Sequence, residues 1–202
     1  SEQRHTTLYR SYRPQAFAEV RGQGQVTDVL QKALKNKKIA HAYLFCGGRG
    51  TGKTTVARIL ARELGVSPKD MYEIDAATNR GIDDIRELRE GVYAMPFESP
   101  YKFYIIDEAH MLSKAAFNAF LKILEEPPVH SMFFLLVRDT DALMETIVSR
   151  CQNLRFFPLS ESELEQKIPG APLSWCEGSS DRAKAYVDKE DAAVVIKTAC
   201  EN

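Results

Sequence analysis

The sequence predicts an α/β fold in which a parallel β-sheet is covered on both faces by helices. Five apolar segments of strand length alternate with segments in which apolar residues recur at three- and four-residue spacing. Such alternation is typical of parallel sheets, because each crossover connection places a helix on a face of the sheet. A glycine-rich turn follows the first of these strands and a pair of acidic residues follows another. The two polar motifs predict a nucleotide site at one edge of the sheet.

The glycine-rich turn follows the apolar run 42–46, precedes the helix-forming run 56–61 and fits the pattern G-x-x-x-x-G-K-[ST]. Its glycines expose backbone N–H groups to a polyphosphate, and the positive end of the next helix faces the same anion. Lys53 is predicted to contact the β and γ phosphates and the Thr54 hydroxyl to ligate Mg²⁺. The alternative is an ordinary glycine-rich turn that carries Lys-Thr. The predicted nucleotide-binding residues here are Gly47, Gly48, Arg49, Gly50, Thr51, Gly52, Lys53, Thr54 and Thr55.

The acidic pair, Asp107 and Glu108, follows the apolar run 103–106. A buried parallel strand would deliver both carboxylates at its carboxyl end, where ligands of open α/β sheets bind. Asp107 is predicted to hold Mg²⁺ through water, and Glu108 to polarise the water that attacks the γ phosphate. Considered without the phosphate loop, the acidic pair is better interpreted as an exposed acidic strand end. The phosphate loop about fifty residues upstream favours an ATPase instead.

The remaining elements follow from the same periodicities. Helices are predicted over residues 26–34, 82–92 and 114–124, a short helix near residues 143–148, a short buried strand over 71–75, and further strands over 132–137 and 153–157. Ser113 is a predicted N-cap. The basic residues 35–38 fit a solvated helix end better than a DNA-binding patch.

Composition narrows the classes of protein that remain. The chain has 202 residues, of which 44% are hydrophobic, enough for one substantial core and a small second domain. Its net charge of −1 means that any nucleic-acid surface must be local. It has neither an apolar run of membrane-spanning length nor a signal segment, so we expect a cytoplasmic protein with no membrane partner. Four cysteines without a C-x-x-C pair predict free thiols and no zinc.

The motifs taken together resemble one known family. They are Tyr12-Arg13-Pro14 and the segments 47–54, 73–77, 83–88, 104–110, 111–114, 124–128 and 149–151. This combination resembles the gamma/tau clamp-loader ATPases of bacterial DNA polymerase III, which belong to the AAA+ superfamily. The resemblance runs from about residue 8 to about residue 157, and it is far more specific than either phosphate-site motif alone.

The resemblance implies roles that spacing does not show. Arg150, in Ser-Arg-Cys, corresponds to an arginine finger that reaches the nucleotide site of a neighbouring subunit, so hydrolysis would depend on assembly. A surface arginine paired with a carboxylate is the interpretation that Arg150 alone favours. Residues 9–14, which include Tyr12 and Pro14, and residues 20–23, which begin with Val20, would line the adenine pocket. An N-terminal arm packed on the domain is compatible with that role. The helix that begins near Lys114 resembles one that faces DNA, and a solvated helix start fits it as well.

Two arginines lie where this sequence departs from the family. Arg138 occupies the position of a small polar residue that senses the γ phosphate. It could contact phosphate as a cation, pair with Asp139, or lower turnover. Arg182 lies one place after the position of a second phosphate-sensing arginine, which is Asp181 here. The family's four-cysteine zinc module after the phosphate-loop helix is not found in this sequence.

The predicted organisation is an AAA+ core over residues 1–158 and an abbreviated helical lid over 159–202, without the family's C-terminal collar. A shortened chain and an atypical member both explain this. The resemblance implies a subunit that binds and hydrolyses ATP with Mg²⁺ to load the sliding clamp onto primer-template DNA, in a hetero-oligomeric ring with other clamp-loader subunits. No polymerase motif is found. The alternatives are a non-hydrolysing subunit of the same assembly, a branch-migration helicase motor and a helicase loader.

Overall fold

The computed structural model describes residues 14–78 and 82–163, and of residues 82–87 and 142 only the backbone. Within this part of the chain, five strands form one parallel sheet in the order β2-β3-β4-β1-β5. The strands are β1 (Ala42–Cys46), β2 (Met71–Asp75), β3 (Lys102–Asp107), β4 (Ser131–Val137) and β5 (Gln152–Arg155). The predicted parallel α/β sheet is confirmed.

Helices cover both faces of this sheet. They are α1 (Gly24–Lys35), α2 (Lys53–Glu63), α3 (Ile82–Tyr93), α4 (Lys114–Glu125) and α5 (Glu145–Val148). The buried side chains of α1 and α2 pack on one face around Tyr43, Phe45 and Phe134. Those of α3, α4 and α5 pack on the other face around Leu44 and Phe133. Strands β1, β3 and β4 are therefore buried on both sides, which explains their continuous apolar sequences.

The strand order brings the two polar motifs to the same edge. Strand β4 lies between β1 and β3, with Leu44 opposite Leu135 and Tyr104 opposite Phe133. Because all strands run in the same direction, the segments that follow β1, β3 and β4 emerge together. The backbone N–H of Gly47 donates to the carbonyl of Val137 at 3.1 Å, which fixes the start of the phosphate loop beside the end of β4.

Strand β2 differs from its prediction. We expected a buried strand over residues 71–75, but every residue of β2 is half-buried or exposed. The prediction of burial was wrong because β2 lies at the edge of the sheet, where it pairs with β3. The outward-facing Glu73 carboxylate accepts a hydrogen bond from Arg58 at 2.6 Å.

Helix α4 begins where the sequence predicts. Its N-cap Ser113 accepts a hydrogen bond from the backbone N–H of Ala116 at 3.2 Å, so this prediction is confirmed. Strand β5 ends at Arg155, two residues earlier than predicted, because the next two N–H groups bond outside a regular ladder. The N–H of Phe156 donates to the carbonyl of Cys46, and that of Phe157 to the Gln23 side chain.

A buried carboxylate, that of Asp70, holds the loop that follows α3. It accepts hydrogen bonds from the backbone N–H groups of Phe97, Glu98 and Ser99 at 2.6, 3.0 and 2.9 Å. Burial alone would raise the pKa of this carboxyl group. The hydrogen bonds favour the ionised form more strongly and lower its pKa from 3.8 to about 2.

We expect Asp70→Asn to lower the free energy of unfolding by about 1–3 kcal/mol at pH 7, because it weakens charge-assisted hydrogen bonds from three partly buried backbone N–H groups. The pKa of Asp70 is lowered by folding, so its contribution is present above about pH 4 and is lost as the pH falls to about 2. Urea denaturation between pH 7 and pH 3 measures both effects. The exposed Asp28→Asn is the control, and equal stability of the two variants would contradict this role.

Some predictions lie outside the described residues. These include Tyr12, Arg182, and the lid beyond residue 163. Among the helices that the structure does describe, none combines the length and the apolar character needed to span a bilayer.

Candidate nucleotide-binding site

The phosphate loop connects β1 to α2 and bends tightly around its own backbone. Gly47 is buried, whereas Gly48 and Arg49 are exposed at the rim. The Thr51 side chain is buried, and its hydroxyl donates to the carbonyl of Gly48 at 2.8 Å. Gly52, with φ of 100°, precedes α2 directly. The loop therefore lies at the N-terminus of α2, where free backbone N–H groups and the helix dipole attract anions.

Lys53 is the first residue of α2, and its ammonium group lies over the loop. It donates to the carbonyls of Gly47 and Gly48 at 2.5 and 2.7 Å. Burial lowers the pKa of this lysine, and the nearby Asp107 and Glu108 carboxylates act in the opposite direction. Phosphate oxygens are stronger acceptors than neutral carbonyls, so a polyphosphate in the loop would compete for this ammonium.

The acidic pair lies where β3 ends. Asp107 is exposed, and its Oδ1 accepts a hydrogen bond from the Glu108 N–H at 2.8 Å. Glu108 has φ of 49° and ψ of 42°, a left-handed conformation that is uncommon for glutamate. Strained backbone of this kind is concentrated at functional sites, where the surrounding structure maintains it.

Two arginines and a histidine lie around the Glu108 carboxylate. Its Oε1 lies 3.2 Å from an Arg49 guanidinium nitrogen and 3.8 Å from one of Arg138. Its Oε2 lies 3.6 Å from His110 Nε2. Arg138 thus pairs with Glu108, while the Asp139 side chain accepts from the backbone of the following 3₁₀ turn. Of the alternatives considered for Arg138, a pair with Asp139 is not the arrangement that the structure has, because Arg138 lies beside Glu108 instead.

Sequence reasoning did not place two polar side chains beside the phosphate loop and the acidic pair. Among the described residues, His110 Nδ1 is buried and has no hydrogen-bond partner. The Gln23 side chain is fully buried and donates to the carbonyl of Thr51 at 3.2 Å. A histidine two residues after Glu108 was a visible signal. Gln23 was grouped with the adenine-lining segment by resemblance, without its contact to the phosphate loop.

Gly47 lies close to Phe156, the residue that follows β5, and this contact allows a specific prediction. A Cβ atom at Gly47 would lie 2.6 Å from the Phe156 carbonyl oxygen, whereas one at Gly48 would meet nothing within 4 Å. We expect Gly47→Ala to displace the loop, to lower the free energy of unfolding by about 1–3 kcal/mol and to weaken ATP binding at least tenfold. Gly48→Ala is the matched control for stability. Thermal unfolding and fluorescent-nucleotide titration measure both, and equal behaviour of the two variants would contradict this packing.

Arg150 lies just after α5, and its described contacts are with α4 and α5. One guanidinium nitrogen lies 3.2 Å from Glu125 Oε1, and another donates to the Thr146 carbonyl at 2.7 Å. A surface arginine paired with a carboxylate, the alternative from the sequence, is therefore its arrangement in this chain. Its predicted role at a neighbour's site stays a prediction.

The other predicted residues lie along α2 and before α1. Thr54 and Thr55 are half-buried in the first turn of α2. Val20 packs against the α1–α2 core. Pro14 precedes Gln15, whose carbonyl accepts from Arg62 in the last turn of α2. That turn is about 13 Å along the helix axis from Lys53, so Gln15 contacts the end of α2 that is opposite to Lys53.

The donors near the loop fit Mg²⁺ better than a metal held by protein alone. Mg²⁺ usually binds one or two carboxylates together with phosphate oxygens and water. Asp107 and Thr54 could supply one carboxylate and one hydroxyl. In the described ranges, no group of three or more His, Cys, Asp or Glu side chains could hold a metal ion. Cys46 and Cys151 are free thiols there.

Strand order, the loop between β1 and α2, and the acidic end of β3 define the fold of the AAA+ ATPases. Solved structures of other proteins share this fold. The RuvB branch-migration motor of Thermotoga maritima is 21% identical, with a TM-score of 0.71 over 92% of this chain and 67% of that chain. A DNA polymerase III gamma subunit-related protein of the same organism is 24% identical, with a TM-score of 0.63 over 77% of this chain and 56% of that chain.

Sequence comparison identifies the family within this class. A family model described as DNA polymerase III, delta subunit, matches residues 22–75 and 66–160. The DNA polymerase III subunit tau of Bacillus subtilis is 46% identical over 173 residues, which are 75% of this chain and 31% of that protein. The chain belongs to this DNA polymerase III family, and the predicted resemblance to its gamma/tau subunits is confirmed. It spans about a third of the length of this relative.

Proposed function

We propose that the chain is the ATPase core of a clamp-loader subunit, which hydrolyses ATP to load the sliding clamp onto primer-template DNA. The observation that carries this proposal is the convergence of Lys53, Asp107 and Glu108 at one sheet edge, in a chain 46% identical to a DNA polymerase III tau subunit. The similarity to the solved RuvB branch-migration motor supports the fold alone. The sequence relatives favour clamp loading over a helicase motor.

Each part of the site then has a role. The backbone N–H groups of residues 47–54 and the Lys53 ammonium bind the β and γ phosphates. Thr54 and Asp107 would hold Mg²⁺, which neutralises charge on the phosphates when it is bound. Glu108 accepts a proton from the attacking water, and its half-buried position keeps its carboxylate beside the phosphate loop. Tyr12, Pro14 and Val20 are proposed to line the adenine pocket, and Arg138 and Arg182 to contact phosphate.

Arg150 is proposed to act at the site of the next subunit in the ring. Its side chain is about one-third exposed, and its contacts are with Glu125 and Thr146 instead of the phosphate loop of its own chain. An arginine that completes a neighbour's site would make hydrolysis depend on assembly with other clamp-loader subunits. The helix that begins at Lys114 is proposed to face the DNA backbone. The core over residues 1–158 would work with a lid over 159–202, in the cytoplasm.

An anchored apolar loop supports a protein partner such as the sliding clamp. Met95 and Phe97 are 73% and 78% exposed, and Val129 is 79% exposed. The three are near one another because His130 Nε2 lies 3.0 Å from the Ala94 carbonyl. Asp70 fixes the other end of the loop through the Phe97 N–H. Large apolar side chains held in water by a fixed backbone are typical of interaction surfaces.

Capture of the sliding clamp tests the proposal. Immobilised wild-type chain should retain purified clamp in the presence of a non-hydrolysable ATP analogue. We expect Phe97→Ser to lower retention at least tenfold, because a large apolar contact is lost. Met144→Ser, at a separate and less exposed apolar residue, is the control. Failure of the wild-type chain to retain the clamp would contradict the proposed partner.

A non-hydrolysing subunit of the same assembly is the second candidate. The observation that favours it is the engagement of the Glu108 carboxylate by both Arg49 and Arg138. A base occupied by guanidinium groups accepts a proton from water less readily. Single-turnover hydrolysis with an arginine-finger donor present discriminates the two. Absence of turnover, with ATP bound, would favour the second candidate.

A further inference from the structure

Gln23 joins three segments around the proposed nucleotide site. Its side-chain Nε2 donates to the Thr51 carbonyl in the phosphate loop at 3.2 Å and to the Phe157 carbonyl at 2.7 Å. Its Oε1 accepts from the Phe157 N–H at 3.1 Å. Its backbone carbonyl accepts hydrogen bonds from the Val26 and Thr27 N–H groups in the first turn of α1. One fully buried amide thus connects the start of α1, the phosphate loop and the chain after β5.

The chain after β5 is also the connection to the proposed lid. Phe156 packs against Gly47, and Leu159 and Glu163 approach Gly22. A Cβ atom on Gly22 would lie 2.3 Å from Leu159 Cδ2, so the segment before α1 and residues 156–163 are in direct contact. Gly22 is adjacent to Gln23, and Leu159 lies two residues after Phe157, to which Gln23 is hydrogen-bonded.

Burial makes these hydrogen bonds selective for one arrangement. A buried amide that loses a partner has no water to replace it, so Gln23 favours the geometry in which all its partners are present. Displacement of Thr51 would therefore disturb the hydrogen bonds between Gln23 and Phe157. Displacement of Phe157 would likewise disturb the hydrogen bond between Gln23 and Thr51. Exposed hydrogen bonds of similar length could be replaced by hydrogen bonds to water, so they would couple the two segments less strongly.

We propose that Gln23 is a positioning residue that couples occupancy of the phosphate loop to the connection between core and lid. It does so without touching the nucleotide, through Thr51 on one side and both backbone groups of Phe157 on the other. The ligand class that should detect the coupling is one that spans the phosphate loop and the adenine-lining segment, such as ATP. Inorganic tripolyphosphate, which occupies the loop alone, should depend on the coupling less strongly than ATP does. This inference rests on the proposed nucleotide binding.

Hydrogen exchange on the wild-type chain is the first test. Tripolyphosphate should slow exchange of the Phe157 N–H at least threefold, because an ordered phosphate loop stabilises the Gln23 hydrogen bonds. The Ala116 N–H, capped by Ser113, is the internal control and should not change. Unchanged exchange at Phe157 with tripolyphosphate bound would overturn the coupling.

Variants give the second test. Gln23→Met keeps the shape and removes the hydrogen bonds; it should weaken ATP binding about tenfold and tripolyphosphate binding less than threefold. Gln31→Met, on the exposed side of α1, is the control and should change neither. Gln23→Asn, too short to reach all three segments, should give the same split if the Met variant does not fold.

The outcomes separate two kinds of failure. Equal loss of ATP and tripolyphosphate binding would mean that Gln23 is merely structural and would overturn the inference. Unchanged ATP binding in a folded Gln23 variant would overturn it as well. If the wild-type chain binds neither ligand, the proposed function itself fails, and the inference fails with it.

Discussion

Replacing Glu108 with glutamine is expected to leave ATP binding within about threefold of wild type and to lower turnover by on the order of 10²–10⁴. Glutamine has nearly the same shape but cannot accept the proton of the attacking water. Its amide oxygen can still face Arg49 and Arg138, so the loop should keep its geometry. Single-turnover hydrolysis, with a finger-donating chain present, measures the chemical step, and nucleotide titration measures binding.

The control for Glu108 is Glu126→Gln, at an exposed residue after α4. It should change neither binding nor turnover. If Glu108→Gln turned over ATP at the wild-type rate, another group would have to be the base. Equal loss of binding and turnover would mean that Glu108 supports the loop and does not act in the chemical step.

Replacing Arg150 with alanine is expected to lower the turnover of a neighbouring subunit by on the order of 10³–10⁵ and to leave the chain's own ATP affinity unchanged. The physical reason is that its guanidinium would stabilise charge on a phosphoryl group held by another chain. A mixture of two variant chains distinguishes the site that holds ATP from the chain that donates the arginine. A chain with Lys53→Ala can donate the finger but has an impaired site, and a chain with Arg150→Ala has an intact site without a finger to donate.

This mixture should hydrolyse ATP far faster than either variant alone. Arg89→Ala, an exposed arginine on α3, is the control for general charge effects. The Arg150→Ala chain should turn over slowly even at saturating ATP. Wild-type turnover by this variant alone would show that Arg150 is only the surface partner of Glu125.

The sequence was sufficient for the sheet and the loop because both have strong local signals. Continuous apolar runs such as 132–137 predict strands that are buried on both faces, and β4 is fully buried. The spacing of residues 47–54 is imposed by a bend whose backbone must face an anion, so the motif can be read without the fold. The N-cap role of Ser113 was also predictable from the sequence, because an N-cap side chain accepts a hydrogen bond from a backbone N–H only three residues later.

What escaped prediction depends on distant parts of the chain. The exposure of β2 follows from its place at the sheet edge, which its apolar residues do not encode. The pairing of Arg138 with Glu108 joins the ends of β4 and β3, thirty residues apart in sequence, whereas sequence reasoning considered the adjacent Asp139. Gln23 contacts Phe157 across 134 positions. Such contacts are set by the strand order, which periodicity does not determine.

Calorimetric titration of ATP with Mg²⁺ into the purified chain tests the central claim most directly. We predict one site per chain for wild type, loss of measurable binding for Lys53→Ala, and wild-type binding for Lys69→Ala, an exposed lysine outside the loop. Absence of ATP binding by the folded wild-type chain, or unchanged binding by Lys53→Ala, would contradict the assignment of residues 47–54 as a phosphate loop.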